Sequence, residues 1–486
     1  MLTSIIVGLY VLALVFIFLY SLAQGHLLWH YLKKRRSLAV TPQVPPLHWP
    51  KVTVQLPIYN EKYVADRLLE AVSLLNYPED RLEIQVLDDS DDETSDILAK
   101  KITSLSHLSI QHVRRENRDG YKAGALKHGL SLAKGDLIAV FDADFVPDPE
   151  FLLCTVPEFS NPKVGMVQTR WTHLNLKQSL LTRLQAFALD AHFIVEQVGR
   201  NTLGAFINFN GTGGIWRKQC IIDAGDWSDD TLTEDLDLSY RAQKAGWEFI
   251  YLPNVASPAE LPPIMSALKS QQFRWTKGGA ECAKKHLLSM WLRKDLPLMA
   301  KLHATAHLLN STIFIAILMV SALSVPLWWM SLYGHFPEWL WKYGIVFMLG
   351  FFIIAGVYFV ANTFELKGVG QKLSTFFYQL PLFLAVSMGM ALHNSIAVWE
   401  GFTGQKSPFI RTPKFNAQSL LEIKKNRYLT LEIPLSTYAE GGFALVFLVL
   451  VGVSIWLGHW LFFPLHLLLC IGYFLVFIQS FHNTLD

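Results

Sequence analysis

Leu137-Ile138-Ala139-Val140-Phe141-Asp142-Ala143-Asp144 is the stretch on which the reading of this chain turns. An unbroken apolar run with β-branched Ile138 and Val140 reads as a strand buried on both faces. Two carboxylates follow it at i and i+2. Upstream, Val52-Thr53-Val54-Gln55-Leu56 reads as a strand closed by Pro57, and Ile84-Gln85-Val86-Leu87 as another ending in Asp88-Asp89-Ser90. Helical patterns over 63–75 and 94–105 lie around these strands. Strands alternating with helices predict an α/β domain with a mostly parallel sheet. Ligands of such sheets bind beyond the carboxyl ends of the strands, where these acidic residues fall.

The rest of the 486-residue chain is unlike a soluble protein. Hydrophobic residues make up 51% and charged residues 17%, more apolar than an ordinary soluble domain. Residues 5–29 are almost wholly apolar, long enough to cross about 30 Å of hydrocarbon. No basic residue precedes this run and no small-residue cleavage site follows it, so it is expected to be a retained span. Lys33, Lys34, Arg35 and Arg36 come directly after it and put the next domain in the cytoplasm by the positive-inside rule. Three blocks result: 1–36, a span and its basic stop; 37–300, the α/β domain, opened by the linker Pro42-Gln43-Val44-Pro45-Pro46; and 301–486, a membrane block with apolar runs near 308–330, 344–361, 376–398, 443–457 and 460–478. Trp328, Trp329, Trp339 and Trp341 are expected to form an aromatic belt. Segment 401–435 is basic (Lys406, Arg411, Lys414, Lys424, Lys425, Arg427) and expected to be cytoplasmic. The 376–398 run, interrupted by Pro381, Gly389, His393 and Asn394, is then expected to be broken or interfacial and not a single crossing.

A net charge of +2 argues against nucleic acid as a partner. Cys154, Cys220, Cys282 and Cys470 have no ligand spacing and read as free thiols in a reducing compartment.

Taken singly, each polar motif admits two readings. Asp142 and Asp144 can hold one hard cation such as Mg²⁺ or Mn²⁺, or decorate a turn. Asp88 and Asp89 can bind ribose or a base, or cap the next helix. Lys122, in Gly120-Tyr121-Lys122-Ala123-Gly124, suits phosphate at a helix start. Asp235 in Thr233-Glu234-Asp235 can be a general base, or the triplet can be a helix cap with first-turn acids. In Gln271-Gln272-Phe273-Arg274-Trp275 the arginine suits a leaving diphosphate and the indole a pyranose face. The same stretch can also be an ordinary amphipathic helix at a membrane surface.

In chain order these motifs, followed by membrane spans, resemble the D, DxD, TED, QxxRW series of processive family-2 glycosyltransferases, the class of cellulose, mannan and hyaluronan synthases. Longer runs are most similar to the mannan/glucomannan synthase-like branch of the cellulose synthase superfamily: Gln85-Val86-Leu87-Asp88-Asp89-Ser90, Asn117-Arg118-x-Gly120-Tyr121-Lys122-Ala123-Gly124-Ala125-Leu126-Lys127, Phe141-Asp142-Ala143-Asp144-Phe145, Phe209-Asn210-Gly211-Thr212 and Glu260-Leu261-Pro262. The resemblance implies a GT-A type domain inserted between transmembrane helices. It implies a nucleoside pocket at Pro57, Tyr59, Glu61 and the Asp88-Asp89 pair, and Lys122 and Asp142 at the diphosphate. Asp144 would be the main ligand of Mn²⁺ or Mg²⁺, with Asp142. Asn210, Gly211 and Thr212 would touch the acceptor sugar, beside Gln271, Arg274 and Trp275, with Asp235 as base and Glu234 next to it. Phe409-Ile410-Arg411-Thr412-Pro413-Lys414 looks like the gating loop of cellulose synthases, except that an arginine stands where a valine is usual.

The expected activity is polymerisation of a hexose from UDP-glucose or GDP-mannose, with inversion, into a β-linked (β-1,4) polysaccharide exported across a plasma, inner or Golgi membrane. Accessory export subunits stay unspecified. A single-addition glucosyltransferase acting on a lipid such as ceramide is the alternative. A non-enzymatic membrane scaffold with a degenerate domain is the rival from another class.

Overall fold

The computed structural model describes residues 1–35, 48–364, 366, 368–407, 411–416, 422, 426, 428 and 433–481. The 42–46 linker, Arg36, Phe409, Ile410, Lys424, Lys425 and Arg427 lie outside them.

β-Branched and apolar residues alternate with short turns to give seven strands: β1 (Val52–Ile58), β2 (Leu82–Asp88), β3 (Ile110–Arg114), β4 (Leu137–Val140), β5 (Val164–His173), β6 (Gly214–Arg217) and β7 (Glu248–Ala259). They form one sheet in the order β3-β2-β1-β4-β6-β5-β7. β1, β2, β3 and β4 run parallel, as do β5 and β7, while β6 is antiparallel to both its neighbours. Ile58 stands opposite Asp88, and Asp88 opposite Arg114. The carboxyl ends of β1, β2 and β3 therefore make one edge, as the parallel reading requires, and Asp142 follows β4 there. Helices Ala65–Ser73, Thr94–Ser104 and Tyr121–Leu132 flank this half. β4 is buried throughout, in keeping with its apolar run, and ends one residue before Phe141.

Among the described residues, five helices are long and apolar enough to cross a membrane: Leu2–Lys34, Asn310–Leu332, Glu338–Asn362, Leu435–Leu457 and Phe463–Phe481. Helices Val369–Gly389 and Ala391–Thr403 form a further pair, bent by 50°. Asn362, before the pair, donates to the Phe187 carbonyl at 3.0 Å, and Glu400, near its end, meets Lys277 at 3.0 Å. Within the pair itself, Phe376 and Leu380 of the first helix pack with Phe187 of the α/β domain, so both helices of the bent element touch that domain. Its bend packs on Phe463–Phe481, where a Cβ at Gly472 would stand 1.9 Å from the Ala385 carbonyl oxygen. Only glycine permits that approach, as in close helix pairs within membranes.

The belt expectation needs one correction. Trp329 and Trp339 are exposed, but Trp328 is buried and its indole donates to Ser454 Oγ at 2.9 Å. The preceding and following turns of the helix point it into the bundle, where the hydroxyl satisfies the N–H.

Helix Met265–Leu292 joins the two parts. It carries Gln271, Arg274 and Trp275 towards the sheet. On its other side Lys269 makes a buried ion pair of 2.6 Å with Glu440 of Leu435–Leu457, supported by Thr437 Oγ1 at 3.1 Å.

Candidate active site

A cleft opens at the strand-end edge, lined among others by Pro57, Tyr59, Glu61, Asp89, Lys122, Asp142, Asp144, Asn210, Gly211, Glu234, Asp235, Gln271, Arg274 and Trp275. Stretches far apart in the chain meet here because β1, β2 and β4 are neighbours, β6 follows the Asn210 loop, and helix Glu234–Lys244 lies over it. Asp144 and Asp235 share this one cleft.

Lys122 sits in the first turn of Tyr121–Leu132, which starts after Gly120 at φ +68°. Its ammonium reaches Asp142 Oδ1 at 2.6 Å, the Gly211 carbonyl at 2.9 Å and Glu234 Oε1 at 3.8 Å. Burial opposes its charge, but Asp142 and Glu234 outweigh burial and raise its pKa. Asp235 lies in the first turn of Glu234–Lys244, and Thr233 makes no side-chain cap there, so the capping role is not realised. Burial and then Glu234 push the Asp235 carboxyl well above the usual aspartate range, only partly offset by Lys122. A base must be deprotonated to accept a proton. Turnover is therefore expected to fall as pH drops through this raised value, with an acid limb well above the ordinary aspartate value of ~3.9. A pH–rate profile at saturating donor checks this.

Gly211 has φ +81°, and a Cβ there would stand 3.1 Å from Asp235 Oδ2. Gly211→Ala is expected to cost about 1–2 kcal/mol in stability through backbone strain and to displace the base. The checks are thermal midpoint and turnover, both falling.

Asp144 is buried; its Oδ2 meets Lys414 Nζ at 2.7 Å while its buried Oδ1 has no hydrogen-bond partner among the described residues. A carboxylate with one oxygen on an ammonium and the other free fits a cation site. Asp142 two residues away offers a second carboxylate. Among the described residues no cluster of three or more His, Cys, Asp or Glu side chains could hold a metal, so the rest of a coordination sphere would come from substrate oxygens and water, as is usual for Mg²⁺-type sites. Among the described residues the cleft is lined by seven carboxylates and five Lys or Arg side chains, an intermixed set of both signs.

Two predicted residues stand elsewhere. Asp88 is buried at the end of β2 and accepts from Ser95 Oγ at 2.6 Å, His112 Nε2 at 2.8 Å and its own neighbour Ser90 N at 2.9 Å. Burial alone would raise its pKa, but these bonds hold it at about 2. It braces the strand end and caps no helix, since the next helix begins at Thr94. Asp89 is the one in the cleft, gripped by Arg115 at 2.9 and 2.5 Å. Thr212 is likewise buried; its Oγ1 accepts from the Asp142 backbone N–H at 2.8 Å and so braces the loop that carries Asp142 and Asp144.

The cleft also contains residues not predicted as its lining. Arg118 stacks 3.3 Å over the Tyr59 ring. Trp171 and His173 reach it from β5, two apart and so on one strand face. Nothing local in sequence marks them. Segment 411–416 lies in the cleft: Arg411 pairs with Glu61 at 2.7 Å, Arg274 donates to Thr412 Oγ1 at 2.8 Å, Lys414 holds Asp144, and the backbone N–H groups of Phe415 and Asn416 donate to Glu260 at 3.3 and 3.1 Å. Burial lifts Glu61 to about 7 despite Arg411. The described part of this segment thus docks in the cleft, and Arg411 makes an ion pair with Glu61 that a valine could not.

Strand-end carboxylates, a phosphate-type lysine and a buried aspartate over one edge of a mixed sheet define a GT-A-like glycosyltransferase domain. Residues 50–278 match the family described as glycosyltransferase like family 2. This domain therefore belongs to family-2 glycosyltransferases, and it is homologous to glucomannan 4-β-mannosyltransferases. Probable glucomannan 4-β-mannosyltransferase 4 of Oryza sativa subsp. japonica is 40% identical over 303 residues (58% of this chain, 55% of the relative). Glucomannan 4-β-mannosyltransferase 7 of Arabidopsis thaliana is 45% identical over 245 residues (49% and 44%). The chain spans about half the length of these relatives. Among solved structures, the mannosyltransferase PcManGT from Pyrobaculum calidifontis, in complex with GDP-Man and Mn²⁺, shares the fold with TM-score 0.53 and 18% identity, over 82% of this chain and 100% of that one.

Proposed function

We propose that this chain is a processive, inverting hexosyltransferase that builds a β-1,4-linked polysaccharide of the mannan type from a nucleotide sugar. The observation that carries this is the convergence of Asp89, Lys122, Asp142, Asp144, Asp235, Arg274 and Trp275 on one cleft. Homology to glucomannan 4-β-mannosyltransferases favours GDP-mannose over UDP-glucose as donor. Tyr59, Asp89 and Arg118 take the nucleoside end. Lys122 and Arg274 offset charge growing on the departing diphosphate. Asp235 removes a proton from the acceptor hydroxyl, expected to be O4, and the attack inverts the anomeric carbon from α to β. Asp144, with Asp142, would hold Mn²⁺ or Mg²⁺, which supplies charge stabilisation to the diphosphate.

The acceptor side of the cleft ends at Trp275, on the helix that packs against the apolar helices. A hydroxyl-rich polymer cannot cross hydrocarbon unaided, so coupling growth to exit through these helices fits an integral membrane enzyme with a cytoplasmic catalytic domain. Incubating membranes with labelled GDP-mannose or UDP-glucose and Mn²⁺, then digesting the product with β-1,4-mannanase or cellulase, tests the reading. A low-mass labelled lipid as the only product would favour the single-addition alternative instead. Polymer left wholly on the catalytic-domain side of vesicles would contradict export.

A further inference from the structure

One edge of the cleft rests on polar side chains that the chemistry above does not use. Helix Leu180–Asp190 continues into a π-helical turn, Ala191–Glu196, and then Gln197–Leu203. π-Turns of this kind often mark functional positions. Here the turn directs His192 and Gln197 at Asn210, which lines the cleft beside Gly211.

The polarity of this group can be read outward from one atom. The Asn208 backbone carbonyl can only accept, and Gln197 Nε2 is 3.0 Å from it. The Gln197 amide is therefore oriented, and the same nitrogen donates to Asn210 Oδ1 at 2.9 Å. With Oδ1 so placed, Asn210 Nδ2 points at His192 Nε2, 3.0 Å away. An amide nitrogen only donates, so Nε2 must carry a lone pair and the imidazole proton sits on Nδ1. That proton faces Glu196 Oε2 at 3.2 Å, which also accepts from Arg200 Nη2 at 3.0 Å; Arg200 Nη2 stands 3.4 Å from Nδ1. Glu196 thus selects the tautomer that Asn210 requires, the arrangement in which a carboxylate orients an imidazole. The Asn210 backbone N–H is tied to Gln168 Oε1 at 3.0 Å.

We propose that His192, as its Nδ1–H tautomer, is a positioning residue that holds the Asn210 amide for the acceptor sugar. Among the described residues Asn210 is left with one free N–H and one Oδ1 lone pair, a donor–acceptor pair suited to a hydroxyl-bearing sugar ring. This rests on the proposed glycosyl transfer to a glycan. The contribution expected of one such neutral hydrogen-bond relay is about tenfold in acceptor affinity.

The test uses the purified full chain in detergent with labelled GDP-mannose, Mn²⁺ and a β-1,4-mannooligosaccharide acceptor, alongside donor hydrolysis without acceptor and a thermal midpoint. His192→Leu should raise acceptor KM about tenfold while donor KM and hydrolysis stay put. His192→Gln, whose Oε1 can take the Asn210 N–H, should return KM to near the wild-type value. Gln197→Met, which releases the Asn210 amide from its other side, should repeat the rise and serves if the leucine variant does not fold. Unchanged acceptor KM in the variants that fold, or His192→Gln as impaired as His192→Leu, would overturn the assignment. Wild-type protein that hydrolyses donor but transfers nothing to the oligosaccharide would overturn the glycan-acceptor reading itself.

Discussion

Asp235→Asn is expected to lower sugar transfer by about 10²–10⁴ while leaving donor binding intact. Asparagine keeps the shape and the acceptor oxygen that meets the Leu236 N–H at 2.9 Å, but it cannot take a proton at any working pH. The change also removes a carboxylate that burial and Glu234 both destabilise in its charged form. The fold should accordingly be as stable as the parent or slightly more so, which separates loss of chemistry from loss of structure. Single-turnover transfer, nucleotide binding and thermal midpoint measured on the same preparation decide it. Turnover near the wild-type level would remove Asp235 from the base position.

Asp144→Asn is expected to be comparably damaging for a different reason. It neutralises the buried carboxylate proposed to hold the cation, whose Oδ2 is on Lys414 and whose Oδ1 has no partner among the described residues. Loss of about 4 kcal/mol of charge stabilisation at the diphosphate corresponds to on the order of 10³ in rate. The distinguishing signature is the response to metal. Wild-type turnover should rise and saturate with Mn²⁺, and the variant should stay flat at all Mn²⁺ concentrations. Lys414 is partly exposed and can turn to solvent, so the thermal midpoint should move little. A variant that regained full rate at high Mn²⁺ would place the main ligand on Asp142 instead.

Much of the sheet was legible because it is built from short-range signals. The β4 run and the Asp88-Asp89 terminus are properties of a few adjacent residues, and β1, β2 and β4 lie within two residues of their expected ends. Pro57 does not close β1 as expected: the strand runs through it to Ile58, paired with Asp88. β3, the antiparallel β6 and the long β5 and β7 were not read: β3 is a short, half-buried edge strand, and β5 and β7 mix polar and apolar residues whose burial depends on each other. The apolar runs were legible for the same local reason, and so was the break near Gly389. Which tryptophan faced lipid was not: Trp328 and Trp329 are neighbours in sequence, and only the bundle around them separates their fates.

At the site, residue types and their order along the chain point to the metal-and-diphosphate chemistry proposed above. Asp88 and Asp89 show the limit. Both are strand-end aspartates, yet β3 and the Thr94–Ser104 helix enclose one with His112 and Ser95 and leave the other in the cleft. Likewise nothing near Lys414 announces that its ammonium will rest on Asp144, 270 residues away, nor does His192 announce its hold on Asn210. By itself the sequence determined the locally patterned elements and which reactive groups exist, because periodicity and strand-end chemistry are written by near neighbours. Tertiary structure alone decided which of those groups face one another, because pairing of distant strands and helices sets separations of a few ångströms, and at that range a carboxylate becomes a brace, a base or a cation site.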